Sequence, residues 1–543
     1  MTARGEVWRG AGGVDVAYED DDLLVAAKPA GISVVSSERG EVLDLVEVLR
    51  RAGHEGELRV VQHIDRDVSG LVVIARTSEA TRRMAAADAV QATYLAGVDG
   101  LRERGGVMQG YATRNGVRLH RVVGARPVAC EVVRSSRQDG RTMLVLRSWS
   151  GARHVRSLLA AHGAPVVGDV QRGGRGWFRV LLHVAGVSFT HPRTGQRCEV
   201  VAPGPWEFDA WLAGERQPVD LAQARRIFRQ AWASRCALQD TTAYRVFHGE
   251  GEGLAGVDLD RFGDWLVLWV DEQIPAALRD VFMEAAWQLG PKGLYRKVRP
   301  RAASRVGQAE REVLAPSVPL RGEGAPDELT VTENGLKYWV RLGDGLSTGL
   351  FLDQRSNRAW IRSEAKGKTV LNLFAYTCAF SLAAAAGGAA STVSVDISPR
   401  ALETGRRNLM LGGWGGAAHE MVRDDVVRWV RAARSKPRRF DIIVLDPPSF
   451  GSTRRGRFSV EQDYAGLATD AVHLVSDRGG VLLGCTNHRG VTVKRLRGWL
   501  TAAVAGAGRQ VRGMKEVAPP IDFPAACGSE PHMKAVRVWI APR

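Results

Sequence analysis

The stretch TVLNLFAYTCAFSLAAAAGGAASTVSVDIS, residues 369–398, decides the fold of the C-terminal part of the chain. Its first residues have the aliphatic and aromatic composition of a buried strand, an alanine-rich helical segment follows, and TVSVDIS is again typical of a strand. The same alternation continues with PRALETGRRNLMLGG, FDIIVLDPPSF and GGVLLGCTN. Strands that alternate with helices in this way predict a Rossmann-like α/β domain with a parallel, doubly wound sheet.

An acidic residue at the end of the second predicted strand indicates how this domain would hold a cofactor. Asp396 suits the two ribose hydroxyls of a nucleoside. The turn after the first strand lacks GxGxxG, which disfavours a dinucleotide, whereas S-adenosylmethionine has no phosphate and needs no anion-binding loop there. Asp425 lies where a third strand would end, a position suited to the adenine amine. The predicted cofactor-binding residues are Asn372, Phe374, Tyr376, Thr377, Asp396, Ile397, Asp425 and Asp446.

The sequence DIIVLDPPSF places further polar and rigid residues at the end of a later strand. Asp446, Pro447 and Pro448 follow four aliphatic residues directly. At such a strand end, backbone carbonyls can grip a planar amino group or the edge of a ring. We therefore predict that these three residues belong to the catalytic site of the domain.

Residues from about 222 to 543 resemble class I methyltransferases, and more narrowly the large-subunit rRNA base methyltransferases of the RlmI and RlmK types. The similarity is carried by TAYRVFHGEGEGLAGVDLDRFGDWLVL, STGLFLDQRSNR, VLNLFAYT and DPPSF, of which TGLFLDQR is specific to this group. The resemblance implies S-adenosylmethionine as the cofactor and large-subunit (23S) rRNA as the partner.

The identity of the methylated atom depends on GGVLLGCTNHRGVT, residues 479–492. Carbon-5 of cytosine is a poor nucleophile and needs a cysteine adduct, whereas guanine N7 has a free lone pair and needs only positioning. Aligned without gaps, the cysteine of RlmI-type enzymes falls on Asn487, while the SNNKRG pattern of RlmK-type enzymes matches at Asn487, Arg489 and Gly490. This favours guanine N7, with Asn487 in the catalytic set. Cytosine C5 through Cys485 is the alternative.

A dense polar segment, VVQHIDRDVSGLVVIA at residues 60–75, lies between two aliphatic runs that are typical of buried strands. Together with QATYLAGVDG and WSGARHVRSLLAAHGAPVVGD, it resembles the RluA-type pseudouridine synthases, over residues 14–205. The resemblance implies that Asp65 is the catalytic aspartate, that Tyr94 packs against the target base and that Arg156 pairs with the aspartate. Such chemistry needs a carboxylate as nucleophile or base, kept ionised by an arginine, and no cofactor.

Departures from this family pattern leave a second interpretation open. His63 and Ile64 stand where the family has arginine and leucine before the aspartate, and Val68 replaces a threonine. That arginine helps to flip the target nucleotide, so the alternative is a methyltransferase whose front domain only binds RNA. The retention of Asp65 favours two enzymes. A Rossmann-like enzyme for a small metabolite is a third interpretation.

The net charge and the cysteine content limit which classes of function the chain can have. The formal net charge of +16 over 543 residues favours a polyanionic partner, most often nucleic acid, and argues against the small-metabolite interpretation. The six cysteines never form CxxC, so we predict neither a metal site nor a disulfide framework. Since no leader-like start and no run of about 18 apolar residues occurs, we expect a cytoplasmic protein without a membrane segment. The basic loop GSTRRGRFS, residues 451–459, suits a solvated face or RNA phosphates equally well.

These observations predict a multidomain α+β and α/β protein. A pseudouridine-synthase-like mixed α+β domain would occupy residues 13–205, and a linker with a helix residues 206–236. A small α+β middle domain that positions RNA would occupy residues 237–325, and the class I methyltransferase domain residues 326–543. The sequence makes no prediction of the oligomeric state.

Overall fold

The structure of the chain is a computed structural model with three main β-sheets, of eleven, five and seven strands. It describes residues 14–35, 43–86, 89–99, 106–114, 116–214, 219–238, 240–300, 312–453 and 456–543. The sheets with their helices confirm the predicted multidomain α+β and α/β fold class. No helix among these residues is long and apolar enough to cross a membrane.

The first sheet is mixed and mostly antiparallel. Its strands are β1 Val16–Glu19, β2 Leu23–Lys28, β3 Arg59–Val60, β4 Ser69–Ala75, β5 Val90–Asp99, β6 Gly106–Thr113, β7 Gly116–Arg118, β8 Arg126–Gln138, β9 Arg141–Ser148, β10 Leu182–Thr190 and β11 Arg197–Val201. The spatial order is β1-β2-β4-β10-β5-β9-β8-β6-β7, with β3 paired to β4 and β11 to β10. The accompanying helices are α1 Leu45–Arg51, α2 Ser78–Arg83 and α3 Ala152–Ala161.

Strand β4 follows the polar segment of residues 60–75 and is buried along its whole length. It pairs antiparallel with β2 and parallel with β10, so both of its edges are covered, as its continuous aliphatic run requires. Gly70, at φ +119°, lies so close to β10 that a Cβ atom would be 2.3 Å from the carbonyl oxygen of Val184. Only glycine fits there, and the close approach fixes where the preceding loop, with Asp65, leaves the sheet.

The second sheet runs in the order β12-β13-β14-β15-β16 and pairs antiparallel except between β14 and β15. Its elements, with the two preceding helices, are α4 Trp206–Ala213, α5 Leu221–Ala233, β12 Ala243–His248, α6 Gly249–Glu252, β13 Val257–Phe262, β14 Trp265–Asp271, α7 Ala276–Trp287, β15 Gly293–Arg299 and β16 Arg321–Gly322. Helix α5 begins at the side-chain cap of Asp220 and buries Ile227, Phe228 and Trp232 against this sheet.

The third sheet has the doubly wound topology that the C-terminal sequence predicts. Its order is β21-β20-β19-β22-β25-β27-β26, and every pair is parallel except the two that involve β27. The elements of this region are β17 Leu329–Glu333, β18 Leu336–Val340, α8 Arg355–Glu364, β19 Thr369–Leu373, α9 Ala379–Ala386, β20 Ser391–Asp396, α10 Pro399–Leu411, β21 His419–Arg423, α11 Val426–Ala433, β22 Ile442–Leu445, β23 Phe450–Thr453, β24 Gly456–Ser459, α12 Val460–Val472, β25 Gly480–Thr486, α13 Val493–Gly506, β26 Val511–Glu516 and β27 Lys534–Ile540.

The hairpin of β17 and β18 connects the second and third sheets. Val331 and Tyr338 share one hydrophobic cluster with Phe262 and Trp265 of the second sheet and with Leu382 of helix α9. Because the hairpin packs on both sides, the exact domain boundary near residue 325 stays a prediction. The other predicted boundaries, at residues 205 and 236, stay predictions as well.

Candidate active sites

In the N-terminal domain, the residues predicted to form the catalytic pair are in direct contact. Nη1 of Arg156, on helix α3, donates to Oδ2 of Asp65, in the loop before β4, at 2.7 Å. The Asp65 side chain keeps 30% of its surface exposed, whereas that of Arg156 keeps 7%. The carboxylate is therefore held by a buried cation and still open to a substrate.

Asp169, which the sequence analysis did not single out, completes this cluster. Nε of Arg156 donates to Oδ2 of Asp169 at 2.7 Å, and the Asp169 side chain is only 1% exposed. Burial works against the charged guanidinium, but Asp169 and then Asp65 more than offset it, so the pKa of Arg156 is raised. Two carboxylates on one buried arginine fix both the charge and the direction of its side chain.

Tyr94 lies on β5 with its side chain almost completely buried, at 2% exposure. Its hydroxyl donates to the carbonyl oxygen of Ser150 at 3.2 Å, just before helix α3 begins. Burial, followed by the charge of Asp65, raises the pKa of the phenol, so the ring stays neutral. The structure thus brings Tyr94, Asp65 and Arg156 into one neighbourhood.

The turn after β2 supports the same loop from the other side. The buried ammonium of Lys28 donates to the carbonyl oxygens of Ile32 at 2.9 Å and Arg66 at 3.2 Å. The backbone N–H of Gly31 also donates to the carbonyl oxygen of Arg66, at 2.8 Å. Burial lowers the pKa of Lys28 to about 7. The carbonyl oxygen of Arg66, the residue next to Asp65, is therefore held by two donors from one turn.

In the C-terminal domain, Asp396 lies at the carboxyl end of β20 and organises the turn after β19. Its Oδ2 accepts a hydrogen bond from the N–H of Tyr376 and its Oδ1 one from that of Ser398, both at 2.8 Å. Each carboxylate oxygen has a second lone pair, so the ribose hydroxyls of a nucleoside can still bind. The neighbouring Ile397 is 53% exposed and offers an apolar surface beside that position.

The turn itself has an unusual backbone. Phe374, Tyr376 and Cys378 have φ values of +58°, +47° and +56°. Non-glycine residues rarely adopt this region, and such conformations cluster where a chain must present its backbone to a ligand. The chemistry of this edge, a carboxylate with exposed apolar surface, fits S-adenosylmethionine.

Three other predicted cofactor residues make hydrogen bonds within the protein. The amide of Asn372 is buried and donates to Oγ of Ser381 at 3.0 Å. Thr377 donates to the carbonyl oxygen of Gly349 at 2.7 Å, and Asp425 caps helix α11 by accepting from the N–H of Arg428 at 3.0 Å. Their roles as direct cofactor ligands stay predictions.

Asp446 lies at the carboxyl end of β22, between the cofactor edge and the predicted target-base side. Nε2 of Gln354 donates to its Oδ2 at 2.7 Å. Burial raises the pKa of Asp446 to about 7, and the nearby charge of Asp353 adds to the effect. Gln354 was missed in the sequence analysis as a functional residue, although it lies in the group-specific segment TGLFLDQR. Of the adjoining residues, Pro447 is buried and Pro448 exposed.

Two residues of β25 and its end bear on the methylated atom. Cys485 has no exposed surface, and its thiol lies 3.9 Å from Oε1 of Gln354. Burial and then Asp446 raise the pKa of this thiol well above its ordinary value. Asn487, two residues on, is exposed, and its Oδ1 accepts from Oγ of Ser449 at 2.8 Å.

A cavity of about 240 Å³ lies between the methyltransferase edge and the second sheet. Asp353, Tyr376 and Asn487 line one side, and Asp260 and Trp269 of the second sheet line the other. Whether the basic loop 451–459 is a solvated face or an RNA contact depends on Arg454 and Arg455, which lie outside the described residues.

Comparisons with known proteins identify the families that the two domains resemble. Residues 22–155 match the RNA pseudouridylate synthase family, and residues 317–527 match the S-adenosylmethionine-dependent methyltransferase family. The fold and the two sites thus define an S-adenosylmethionine-dependent methyltransferase that carries a pseudouridine synthase domain in front of it. The cofactor of the methyltransferase is S-adenosylmethionine, and the pseudouridine synthase domain is of a class that needs none.

The relatives narrow the class further. A protein of Bacillus subtilis described as a ribosomal RNA large subunit methyltransferase is 36% identical over 54% of this chain and 73% of its own length. The ribosomal RNA large subunit methyltransferase I of Escherichia coli K12 is 32% identical over 58% of this chain and 79% of its own length. The chain belongs to this family of ribosomal RNA large subunit methyltransferases.

A solved structure supports the same assignment of the fold. A protein described as a methyltransferase, solved in complex with SAH, is 28% identical and superposes with a TM-score of 0.54. The superposition covers 65% of this chain and 88% of the other.

Proposed function

We propose that the chain is a bifunctional enzyme of large-subunit (23S) rRNA, with Asp65 and its partners forming the first active site. The N-terminal domain isomerises uridine to pseudouridine, and the C-terminal domain methylates a base, guanine N7, with S-adenosylmethionine. The main support for the first activity is that the Asp65 carboxylate, whose side chain is 30% exposed, lies 2.7 Å from the buried Arg156 guanidinium. An rRNA-modifying enzyme of this kind would work in the cytoplasm.

The arrangement around Asp65 suits the isomerisation. Arg156 occupies Oδ2, and no donor among the described residues is within hydrogen-bonding distance of Oδ1. That oxygen can act as nucleophile or base toward a flipped uridine, whose C1′–N1 bond breaks before C1′ bonds to C5. C5 then loses its proton and N1 gains one, which gives pseudouridine. Tyr94 would form the apolar floor under the base. The alternative of a front domain that only binds RNA has no need of a carboxylate held by an arginine.

The preference for guanine N7 rests on Cys485 and Asn487. A cysteine adduct to cytosine C6 requires an accessible thiolate, but Cys485 has no exposed surface and its pKa is raised. The strand that holds it is paired on both edges, with β22 and β27, so it cannot turn outward without breaking the sheet. Asn487 is exposed at the strand end, and the hydrogen bond from Ser449 to its Oδ1 leaves the Nδ2 donor for an acceptor such as guanine O6.

Nucleoside mass spectrometry of 23S rRNA from cells with and without the gene tests the proposal. We expect both pseudouridine and 7-methylguanosine to decrease at specific positions when the gene is deleted. Loss of 5-methylcytidine instead would assign the alternative through Cys485. Loss of the methylated nucleoside alone would assign the front domain as an RNA-binding module.

A further inference from the structure

The cavity of about 240 Å³ between the methyltransferase edge and the second sheet is lined, among the described residues, by five acidic side chains. Four of them form ion pairs with arginines of the same cavity: Glu250 with Arg489, Asp260 with Arg245, and both Asp258 and Asp271 with Arg299. The fifth, Asp353, is half-buried, and no described residue donates a hydrogen bond to its carboxylate or forms an ion pair with it. A carboxylate that is partly withdrawn from water without a donor is destabilising, and a ligand that brings N–H groups would satisfy it.

The cations around Asp353 are already engaged elsewhere. Arg245 and Arg358 interact electrostatically with Asp353 from beyond ion-pair distance. Nε of each guanidinium donates to another carboxylate at 2.7 Å. His532 also lines the cavity, but burial lowers the pKa of its ring, so it supplies no counter-charge at neutral pH. The acceptor oxygens of Asp353 are therefore left for a bound group.

Asp353 lies beside both the cofactor turn and the strand end that carries Asp446. It directly precedes Gln354, which donates to Asp446 at 2.7 Å. After burial, the charge of Asp353 is the next cause that raises the pKa of Asp446, which shows that the two carboxyl groups are close. Two residues before Asp353, the ring centre of Phe351 lies 5.1 Å from that of Tyr376, in the cofactor turn. A group bound at Asp353 would therefore lie next to the cofactor.

We propose that Asp353 binds the Watson–Crick edge of the target guanine and accepts hydrogen bonds from its N1–H and N2–H groups, an inference that rests on the proposed function. Asn487 lines the same cavity, and its Nδ2 donor suits O6 of the same base. Of the four RNA bases, only guanine presents two adjacent N–H donors with a carbonyl oxygen beside them. Enzymes that act on a flipped base read it through such hydrogen bonds to this edge.

The same carboxylate also favours the transfer of the methyl group. When N7 takes the methyl group of S-adenosylmethionine with its lone pair, the S–CH3 bond breaks with its electron pair on sulfur, and the positive charge moves from sulfur to the guanine ring. The N1–H and N2–H groups of this cationic ring are stronger donors than those of neutral guanine. Asp353 therefore binds the transition state more strongly than the substrate.

Inosine in place of the target guanosine tests this contact, because it keeps N7, O6 and N1–H and lacks only the N2 amino group. For the wild type, we expect kcat/KM of methylation to fall by about tenfold or more on the inosine RNA, as the loss of a hydrogen bond to a charged group typically causes. Asp353→Ala should be slower on the guanosine RNA by a similar factor and should hardly distinguish the two RNAs. Asp271→Ala is the matched control, since it removes a carboxylate of the same cavity that Arg299 already holds. It should keep the wild-type preference for guanosine.

The outcomes separate this inference from the proposed function. If the wild type forms 7-methylguanosine and Asp353→Ala discriminates against inosine as strongly as the wild type does, the inference is wrong and the proposed function stands. If the wild type forms 5-methylcytidine instead, the proposed methylation of guanine fails and the guanine contact fails with it. Calorimetry with S-adenosylmethionine should give the same affinity for Asp353→Ala and the wild type. A loss of that affinity with an unchanged preference for guanosine would assign Asp353 to the ammonium group of the cofactor and overturn the inference.

Discussion

The guanidinium of Arg156 lies 2.7 Å from the carboxylate of Asp65, although 91 residues separate them in the chain. The variant Asp65→Asn keeps the shape of the side chain but cannot act as nucleophile or base. We expect the purified variant to fold and bind RNA as the wild type does, with no pseudouridine formed in single-turnover assays. Arg156→Ala should also lose turnover, because Asp65 would lose its charge partner and its orientation. Normal turnover in Asp65→Asn would remove Asp65 from the mechanism.

The ion pair between Arg156 and the buried Asp169 should contribute to the stability of the fold. Asp169→Ala leaves the guanidinium of Arg156 without its more buried counter-charge, and breaking a buried pair in this way typically costs about 3–5 kcal/mol. Asp65→Ala is the matched control, since the Asp65 side chain is 30% exposed against 1% for Asp169. Urea unfolding of the N-terminal domain should show a much larger loss for Asp169→Ala. Equal losses in the two variants would contradict the structural role of Asp169.

The ribose-binding role of Asp396 is tested by calorimetry. Asp396→Ala should weaken the binding of S-adenosylmethionine by about 2–3 kcal/mol, as the loss of charged hydrogen bonds typically does. Asp477 is an exposed aspartate at the amino ends of the strands, on the opposite edge of the same sheet. Asp477→Ala should therefore bind the cofactor like the wild type. An unchanged affinity in folded Asp396→Ala would reject this role.

The raised pKa of Asp446, about 7 against an ordinary 3.8, predicts a pH-dependent stability. Between these values the folded protein binds this proton and the unfolded chain does not, so the contribution of Asp446 to stability falls as pH rises through the window. Asp446→Asn, which carries no charge, should gain stability over the wild type at pH 8 but not at pH 4. Chemical denaturation of both cofactor-free proteins at the two pH values measures this. A difference that is the same at both pH values would contradict the shift.

Cys485 distinguishes the two methylation chemistries. If guanine N7 is the target, Cys485→Ser should keep most of the methylation activity, since no covalent adduct forms. If cytosine C5 is the target through Cys485, the variant should be inactive and RNA containing 5-fluorocytidine should trap the wild-type enzyme covalently. A trapped complex on a denaturing gel would reverse our preference.

Features that depend on the local sequence pattern could be predicted from the sequence. The alternation of strands and helices in residues 369–398 predicted the doubly wound sheet. The resemblance of the N-terminal motifs to a known family predicted that Arg156 pairs with Asp65, and the two side chains are in contact. Asp169 and Gln354 were not predicted, because their importance comes from contacts across 13 and 92 residues that no periodicity records. A buried guanidinium has five N–H donors that need acceptors, so a second carboxylate near Arg156, such as Asp169 at the end of GAPVVGD, was the available signal.

The packing of residues 520–529, in the segment between β26 and β27, could not be predicted from the sequence for a related reason. Residues 520–529 read as a loop rich in proline and small residues, and nothing in their pattern indicates contact with a domain some 350 residues earlier in the chain, such as that of Cys527 with Trp177. Such contacts depend on how the three sheets pack together.

The two activities proposed for this chain should be separable by single substitutions. The decisive measurement maps pseudouridine and methylated nucleosides on 23S rRNA from cells that express the wild type, Asp65→Asn or Asp396→Ala in place of the chromosomal gene. We predict that Asp65→Asn loses the pseudouridine and keeps the methylated guanosine, and that Asp396→Ala shows the reverse. Identical pseudouridine maps for the wild type and Asp65→Asn would contradict the proposed first activity, and identical methylation maps for the wild type and Asp396→Ala would contradict the second.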